Sequence, residues 1–224
     1  MDIQQLIEWD KQLLLALNGS DSIYCDHFMR THTGLLVWVP FFIALLYVII
    51  KNNKWKEALL IVVMVGLTVL LADRISSGIF KPLFHRFRPT HDPSIMDLVD
   101  VVNNYRGGKY GFISSHAANS IGIATFLSLV FRRKVMAFAL FFWAIMHSYT
   151  RIYLGVHFPG DILCGAIVGA LIGWGVYALY RFLCCRYWSE SRVQKDSRYK
   201  YSDAVLVASV LAFNYLILLV LSFF

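Results

Sequence analysis

Residues Ile162-Leu-Cys-Gly-Ala-Ile-Val-Gly-Ala-Leu-Ile-Gly-Trp-Gly-Val-Tyr-Ala-Leu-Tyr180 run without a single charged side chain. A helix that crosses a bilayer needs roughly 20 predominantly apolar residues, and this stretch approaches that length before its flanks are added. Five further apolar runs accompany it: Leu35–Ile50, Ala58–Ala72, Phe112–Phe131, Val135–Tyr149 and Ala204–Phe224. Phe112–Phe131 and Ala204–Phe224 are also long enough; the other three must extend into their polar flanks or tilt little. None alternates apolar and polar residues at period two over ten residues, which argues against an outer-membrane barrel. The pattern predicts an all-α, polytopic membrane protein with six spanning helices.

Composition agrees. Of the 224 residues, 58% are apolar and 16% charged, with a mean hydropathy of +0.58. A soluble globule carries about 45–50% apolar and about 25% charged residues. The excess excludes disorder, a fibrous repeat and most soluble enzymes, because their water-facing surface would have to be apolar. The net charge of +7, from 21 basic and 14 acidic residues, points to anionic lipid or a phosphorylated substrate. No nucleic acid partner is expected, since the basic residues do not cluster on a soluble-looking segment. Cys25, Cys164, Cys184 and Cys185 show neither a C-x-x-C spacing nor a disulfide framework.

The N-terminus does not read as a signal peptide, because Asp2, Glu8 and Asp10 occupy the place of a basic region. Ile3, Leu6, Ile7, Leu14 and Leu17 instead fall near helical spacing, with Asp2, Gln5, Glu8 and Lys11 between them. They predict an amphipathic helix lying in the membrane interface, closed by Asn18-Gly19-Ser20. The chain divides into one membrane-embedded domain, residues 1–224. Its parts are an interfacial segment (1–33), a catalytic helical core (34–182) with motif loops 73–115 and 149–161, a cytoplasmic linker (183–203) and a last spanning helix (204–224). Three connectors carry Lys51, Lys54 and Lys56; Arg132, Arg133 and Lys134; and Arg181, Arg186, Arg192, Lys195, Arg198 and Lys200. They must share one side and hold 12 of the 21 basic residues, so the positive-inside rule makes that side cytoplasmic.

The opposite side receives two unusual loops. One, Asp73 to Gly111, carries Lys81-Pro-Leu-Phe-His-Arg-Phe-Arg88-Pro89 and leads into Ser114-Ser115-His116. The other is Tyr149-Thr-Arg151-Ile-Tyr-Leu-Gly-Val-His157-Phe-Pro-Gly-Asp161. Each runs straight into an expected helix, and a helix start offers unpaired N–H groups and about half a positive charge. Two such starts on one face, each bearing a histidine, form a cradle for phosphate. Lys81, Arg88 and Arg151 add fixed cations that can neutralise charge on the equatorial oxygens during phosphoryl transfer. Asp161, four residues beyond His157, can bond one imidazole nitrogen and leave the other free to attack phosphorus. His116 can then protonate the leaving oxygen and later activate water.

Lys-x6-Arg-Pro, then Ser-Ser-His, then Arg-x5-His-x3-Asp, in that order across a six-helix chain, resembles the type 2 phosphatidic acid phosphatase superfamily of membrane lipid phosphatases. The resemblance covers Lys81 to Asp161 and the helices that carry it. It implies that Lys81, Arg88, Ser114, Ser115 and Arg151 bind the substrate phosphate, that His116 is the general acid, His157 the nucleophile and Asp161 its orienting partner. It also implies no metal and no other cofactor. The family's middle block reads Pro-Ser-Gly-His where this chain has Ile113-Ser114-Ser115-His116, and its third block begins Ser-Arg where this chain has Thr150-Arg151. Neither departure removes a catalytic group.

His27, His32, His85, His91 and His147 read as structural, with a contact from His147 to the site possible from its place in the sequence. Arg86 reads as a surface or headgroup contact, with a third cation of the first block as the alternative, and Trp and Tyr near helix ends read as interfacial anchors. The expected function is hydrolysis of a lipid phosphomonoester or pyrophosphate through a phosphohistidine, at the extracytoplasmic (periplasmic) face of the cytoplasmic membrane. Phosphatidylglycerol phosphate, undecaprenyl pyrophosphate, lipid A and phosphatidic acid all suit such a pocket. The competing readings are a vanadium-dependent haloperoxidase, disfavoured by six apolar runs, a lipid phosphotransferase, and an anion-binding transporter, disfavoured by the lack of intramembrane charges.

Overall fold

The computed structural model of the protein describes residues 2–187 and 198–223. Every regular element among them is helical, apart from one isolated antiparallel bridge between Phe87 and Tyr110. In chain order the α-helices are α1 (Ile3–Leu17), α2 (Ile23–His32), α3 (Val39–Asn52), α4 (Trp55–Ile75), α5 (Lys81–Phe84), α6 (Ser115–Phe131), α7 (Lys134–Tyr153), α8 (Pro159–Tyr187) and α9 (Tyr201–Leu221). A π-helical turn, Ser76–Phe80, joins α4 to α5 without a break.

Among the described residues, four helical segments are long and apolar enough to cross a membrane: Trp55–Phe84, Lys134–Tyr153, Pro159–Tyr187 and Tyr201–Leu221. A fifth arises if Ile23–His32 and Leu36–Asn52, which meet at 70°, act as one bent span. The 17-residue helix Ser115–Phe131 is apolar but shorter. The protein is therefore an all-helical, multi-pass membrane protein.

The helices sort into two ends. At one, Lys51 on α3 pairs with Asp203 on α9 (2.7 Å), Arg198 pairs with Glu57 on α4 (2.7 Å), and Asn53 bonds the Tyr199 hydroxyl (2.8 Å). All three basic connectors enter or leave at this end. At the other, the C-terminal ends of α4–α5 and α7 meet the N-terminal ends of α6 and α8. Asn18, which ends α1, donates to the carbonyls of Asp100 (3.1 Å) and Tyr153 (2.7 Å), while its own oxygen accepts from the Asp100 amide. The helix-ending role of Asn18-Gly19 thus includes a clamp on two loops.

Between the ends, Trp38, Phe41, Phe126, Phe131, Met136, Leu140 and Trp143 fill the core. Burial from water does little for segments already in lipid; close packing and satisfied hydrogen bonds hold such helices together. The closest packing is between α6 and α8. A Cβ on Gly165, Gly169 or Gly173 would lie 2.5, 2.3 and 2.4 Å from the carbonyl oxygens of Ser114, Ala118 and Gly122, respectively. Three glycines at four-residue spacing let the two backbones touch.

Several expectations need correcting. The loop expected from Asp73 onward begins only after Phe84, because the π-turn keeps the chain helical and puts Lys81 on a helix. Arg151 is likewise in the last turn of α7 rather than in a loop. The linker expected over 183–203 is helical at both margins: α8 continues to Tyr187, and Asp203 is buried in the first turn of α9, accepting from the Lys200 amide (2.9 Å). Residues 188–197 of that linker lie outside the described residues. The helix α2 gave no apolar run to find. Not every aromatic residue near a helix end is an interfacial anchor: Trp38, just before α3, and Tyr153, at the end of α7, are buried at 1% and 4% exposure.

Candidate active site

Local structure first brings the motif blocks together. The Phe87–Tyr110 bridge, with Arg88 N–H donating to Lys109 O (3.0 Å) and Gly111 N–H to Arg86 O (2.9 Å), pinches the long loop closed. Its two ends, one carrying Arg86 and Arg88 and the other leading to Ser114, therefore lie side by side. The Ser114 amide donates to the Asp161 carbonyl (3.0 Å), tying the start of α6 to the start of α8. The third block folds back on itself through amides of Val156 (3.1 Å) and His157 (3.2 Å) bonded to the Arg151 carbonyl. Gly155 makes that reversal at φ +66°, where a side chain would be strained.

His157 is buried at the centre, 1% exposed. Its Nδ1 faces Asp161 Oδ2 at 3.4 Å, and its Nε2 lies 3.2 Å from Arg88 Nη1. A guanidinium can only donate, so Nε2 accepts and Nδ1 carries the ring hydrogen toward Asp161. Burial first, then the charges of Arg88, Arg151 and Lys81, hold the His157 pKa well below its ordinary 6.5. The three cations thus act on one imidazole. Burial likewise lowers Arg88, with Arg151 adding to the effect.

Each cation is held by neutral partners. Lys81 Nζ donates to Ser115 Oγ (2.8 Å) and Ser77 Oγ (3.1 Å). Arg88 donates to the carbonyls of Tyr110 (3.2 Å) and Val156 (3.1 Å). Arg151, 2% exposed, donates to Thr33 Oγ1 (2.7 Å) and the Tyr105 hydroxyl (3.0 Å), while its Nε is buried without a partner. Among the described residues none of the three forms an ion pair. Buried positive charge without a counter-ion is costly to fold, and here it surrounds the unprotonated face of a histidine.

The remaining expected residues divide. Ser115 joins the cluster through its hydroxyl. The Ser114 hydroxyl does not: it caps α6, accepting weakly from the Ala117 amide (3.4 Å), so only its backbone faces the junction. His116 sits in the first turn of α6, its ring stacked on His147 at 5.6 Å between centroids. His147 therefore does touch a motif histidine. His32 is fully buried, with Nε2 3.0 Å from the Tyr215 hydroxyl.

Arg86 corrects the sequence reading. It is no headgroup contact but bridges Asp161 Oδ1 (2.8 Å) and Asp10 Oδ2 (2.7 Å), its guanidinium 4.2 Å over the Phe158 ring. Its position two residues before Arg88 was the available signal. Asp10, noted only for its charge in the N-terminal helix, and Thr33 and Tyr105 were not assigned to the site; no spacing in the sequence ties them to it. Gly111 was also missed as a close neighbour: a Cβ there would lie 3.0 Å from Arg88 Cγ, 3.2 Å from Asp161 Oδ2 and 3.5 Å from His157 Nδ1. No three His, Cys, Asp or Glu side chains cluster as metal ligands among the described residues.

Comparison with known proteins follows the same residues. Positions 57–185 match the sequence model of the PAP2 superfamily. The chain is 41% identical over 211 residues to a lipid A 4'-phosphatase of Bacteroides thetaiotaomicron, covering 93% of this chain and 94% of that protein. It is 41% identical over 185 residues to a lipid A 4'-phosphatase of Porphyromonas gingivalis, covering 83% and 78%. Its fold resembles the crystal structure of Aquifex aeolicus LpxE, with TM-score 0.55 at 23% identity over 75% of this chain and 93% of the other. With the matched region spanning all three motif blocks, the chain belongs to the PAP2 superfamily, among its membrane lipid phosphatases.

Proposed function

We propose that this protein removes the 4'-phosphate of lipid A by way of a phosphohistidine. The observation that carries the reading is the set of three cations, Lys81, Arg88 and Arg151, without carboxylate partners around His157. A phosphate dianion is the counter-ion such a site lacks. The choice of lipid A rests on the names of the two relatives at 41% identity.

In this reaction the lone pair on His157 Nε2 attacks phosphorus while the bond to the sugar oxygen breaks, and His116 supplies the proton that oxygen needs. Asp161 holds the Nδ1–H and compensates the positive charge that develops on the ring. Arg88 turns from Nε2 to a phosphate oxygen as substrate enters, and Lys81, Arg151, Ser115 and the Ser114 backbone complete the cradle. His116 then takes a proton from water, whose oxygen attacks phosphorus as the P–Nε2 bond breaks. Phosphate leaves and both histidines return to their starting states. No metal has a place in these steps.

The protein would act as one domain with six spans, the bent α2–α3 pair and the short α6 counted as the fifth and sixth. The helix α1 would lie in the interface. The site would open to the periplasm from the cytoplasmic membrane, where exposed Ile79, Leu83 and Phe84 beside Lys81 meet lipid.

The test is phosphate release by purified protein from lipid A, phosphatidic acid, phosphatidylglycerol phosphate and undecaprenyl pyrophosphate, with the site of loss located by mass spectrometry. Preference for the 4' position of lipid A, undiminished in EDTA, and an acid-labile phosphoenzyme absent from His157→Ala are expected. Preference for another lipid would overturn the substrate, and activity restored only by a divalent ion would overturn the metal-free chemistry.

A further inference from the structure

The helix α1 reaches into the site through one carboxylate. Asp10 Oδ2 accepts from Arg86 Nη2 at 2.7 Å, and Asp10 Oδ1 accepts from the Gly160 amide at 2.7 Å, in the first turn of α8. Arg86 Nη1 then donates to Asp161 Oδ1 at 2.8 Å, and Asp161 Oδ2 faces His157 Nδ1 and the Phe158 amide. Asp10 is only 14% exposed at its side chain and Asp161 not at all.

Three features make this more than a surface contact. A Cβ at Gly160 would lie 2.7 Å from Asp10 Oδ2, so the carboxylate's approach needs a residue without a side chain there. Leu14, one turn further along α1, is fully buried against Ile95, Val99, Ile152 and Phe158, which fixes the helix on the same loops. Arg86 is shared between two carboxylates, one oxygen of each, so neither has its whole charge.

We infer that Asp10 is a positioning residue for catalysis: through Arg86 it sets the orientation and effective charge of Asp161, and hence of His157. Without it, Arg86 is free to swing fully onto Asp161, drawing that carboxylate from Nδ1 and weakening its support of the cationic phosphohistidine. Asp10 touches neither substrate nor the reacting atoms. The inference rests on the reading of His157 as the nucleophile.

The experiment uses the full-length protein with Asp10→Asn, Arg86→Gln and the double variant, alongside wild type, with lipid A as substrate. Asp10→Asn should lower kcat about tenfold or more with KM changed by less than about twofold, since a misaligned nucleophile loses transition-state rather than ground-state interactions. Added to Arg86→Gln, it should cost less than about twofold further, because the two act in series. A kcat within about twofold of wild type, a full multiplicative cost in the double variant, or a change confined to KM overturns the inference. If Asp10→Asn unfolds at a markedly lower temperature, Asp10→Glu takes its place, restoring the charge, and should recover most of kcat at wild-type stability; failure to recover it overturns the inference.

A readout that needs no turnover separates the two readings. In ¹⁵N-histidine spectra His157 should show a protonated Nδ1 in wild type and a perturbed Nδ1 signal in Asp10→Asn. If wild type releases no phosphate from lipid A, the proposed function fails while the spectra still decide the role of Asp10. An unchanged His157 signal overturns that role.

Discussion

At His157 the unfolded and folded states disagree about one proton. Burial and the charges of Arg88, Arg151 and Lys81 lower its pKa below 6.5 in the fold, whereas the unfolded chain protonates near 6.5. The unfolded state therefore binds more protons in the window just below 6.5, and by linkage stability falls as pH drops through it. For the proposed attack on phosphorus the same shift keeps Nε2 unprotonated in mildly acidic solution. The ionisable groups around the ring are Asp161, Arg88, Arg151 and Lys81; removing one of the cations makes protonation easier. Arg88→Gln should thus move the acid limb of kcat/KM to higher pH, besides lowering kcat by about 10²–10³ as one charge-stabilising donor is lost. Profiles of both proteins on the same lipid, whose own phosphate ionisation is common to them, provide the check; an unmoved limb would detach Arg88 from His157. Gly111→Ala tests the packing of the same ring. Its Cβ would press at 3.0–3.5 Å on Arg88, Asp161 and His157 together. A displacement of even part of an ångström at the proposed nucleophile costs about 10–100-fold in rate, so kcat should drop by that order with little loss of thermal stability. Steady-state kinetics and a melting curve on one preparation decide it.

Among the elements, the pair α6–α8 is where packing turns into chemistry, because α6 begins with Ser115-His116 and α8 follows His157 and carries Asp161. Their approach depends on Gly165, Gly169 and Gly173. Gly169→Ala places a Cβ 2.3 Å from the Ala118 carbonyl oxygen, a backbone atom that can yield only if the helices part. Overpacking of this kind costs about 1–3 kcal/mol, and the parted helix starts should lower activity as well. Gly175→Ala is the matched control: a Cβ there meets nothing within 4 Å, and replacing a helical glycine by alanine usually stabilises by about 0.5–1 kcal/mol. Thermal unfolding in detergent should therefore fall for the first and hold or rise for the second; equal behaviour would remove the glycine contact as the cause. The Gly-x3-Gly-x3-Gly spacing was visible in the run Ile162–Tyr180, but its partner was not, since nothing local says which helix it meets. The same limit applied elsewhere. Ser114-Ser115-His116 and Pro159-Gly160-Asp161 were legible as helix starts because capping residues and proline act on their own neighbours. Lys81 and Arg151 were misplaced into loops because polar residues near a helix end do not stop a helix whose backbone stays bonded. Asp10, Thr33 and Tyr105 came from three distant segments, and only tertiary structure assembles them around Arg86 and Arg151.

For the molecule as a whole, charge is segregated along the helix axes. Lys51, Lys54, Lys56, Arg132, Arg133, Lys134, Arg198 and Lys200 lie at the end opposite the candidate site. The basic residues at the site end include Lys81, Arg86, Arg88 and Arg151, which face buried partners rather than a membrane surface. Topology is set by basic residues that stay in short, water-exposed loops during insertion, so those engaged at the site weigh less than the raw numbers suggest. The orientation proposed above, with the connectors in the cytoplasm and the site outside it, is open to a direct test. Single cysteines at Lys54, exposed at the start of α4, and at Ser94, exposed in the long loop, distinguish the two faces. In a background with Cys25, Cys164, Cys184 and Cys185 replaced, a membrane-impermeant maleimide applied to cells with a permeabilised outer membrane should label Ser94→Cys at once. Lys54→Cys should react only after the inner membrane is opened. The reverse pattern would turn the site toward the cytoplasm, where the enzyme would meet lipid phosphates before their export. Labelling of both positions from one side would break the odd number of crossings that any helix count must place between them.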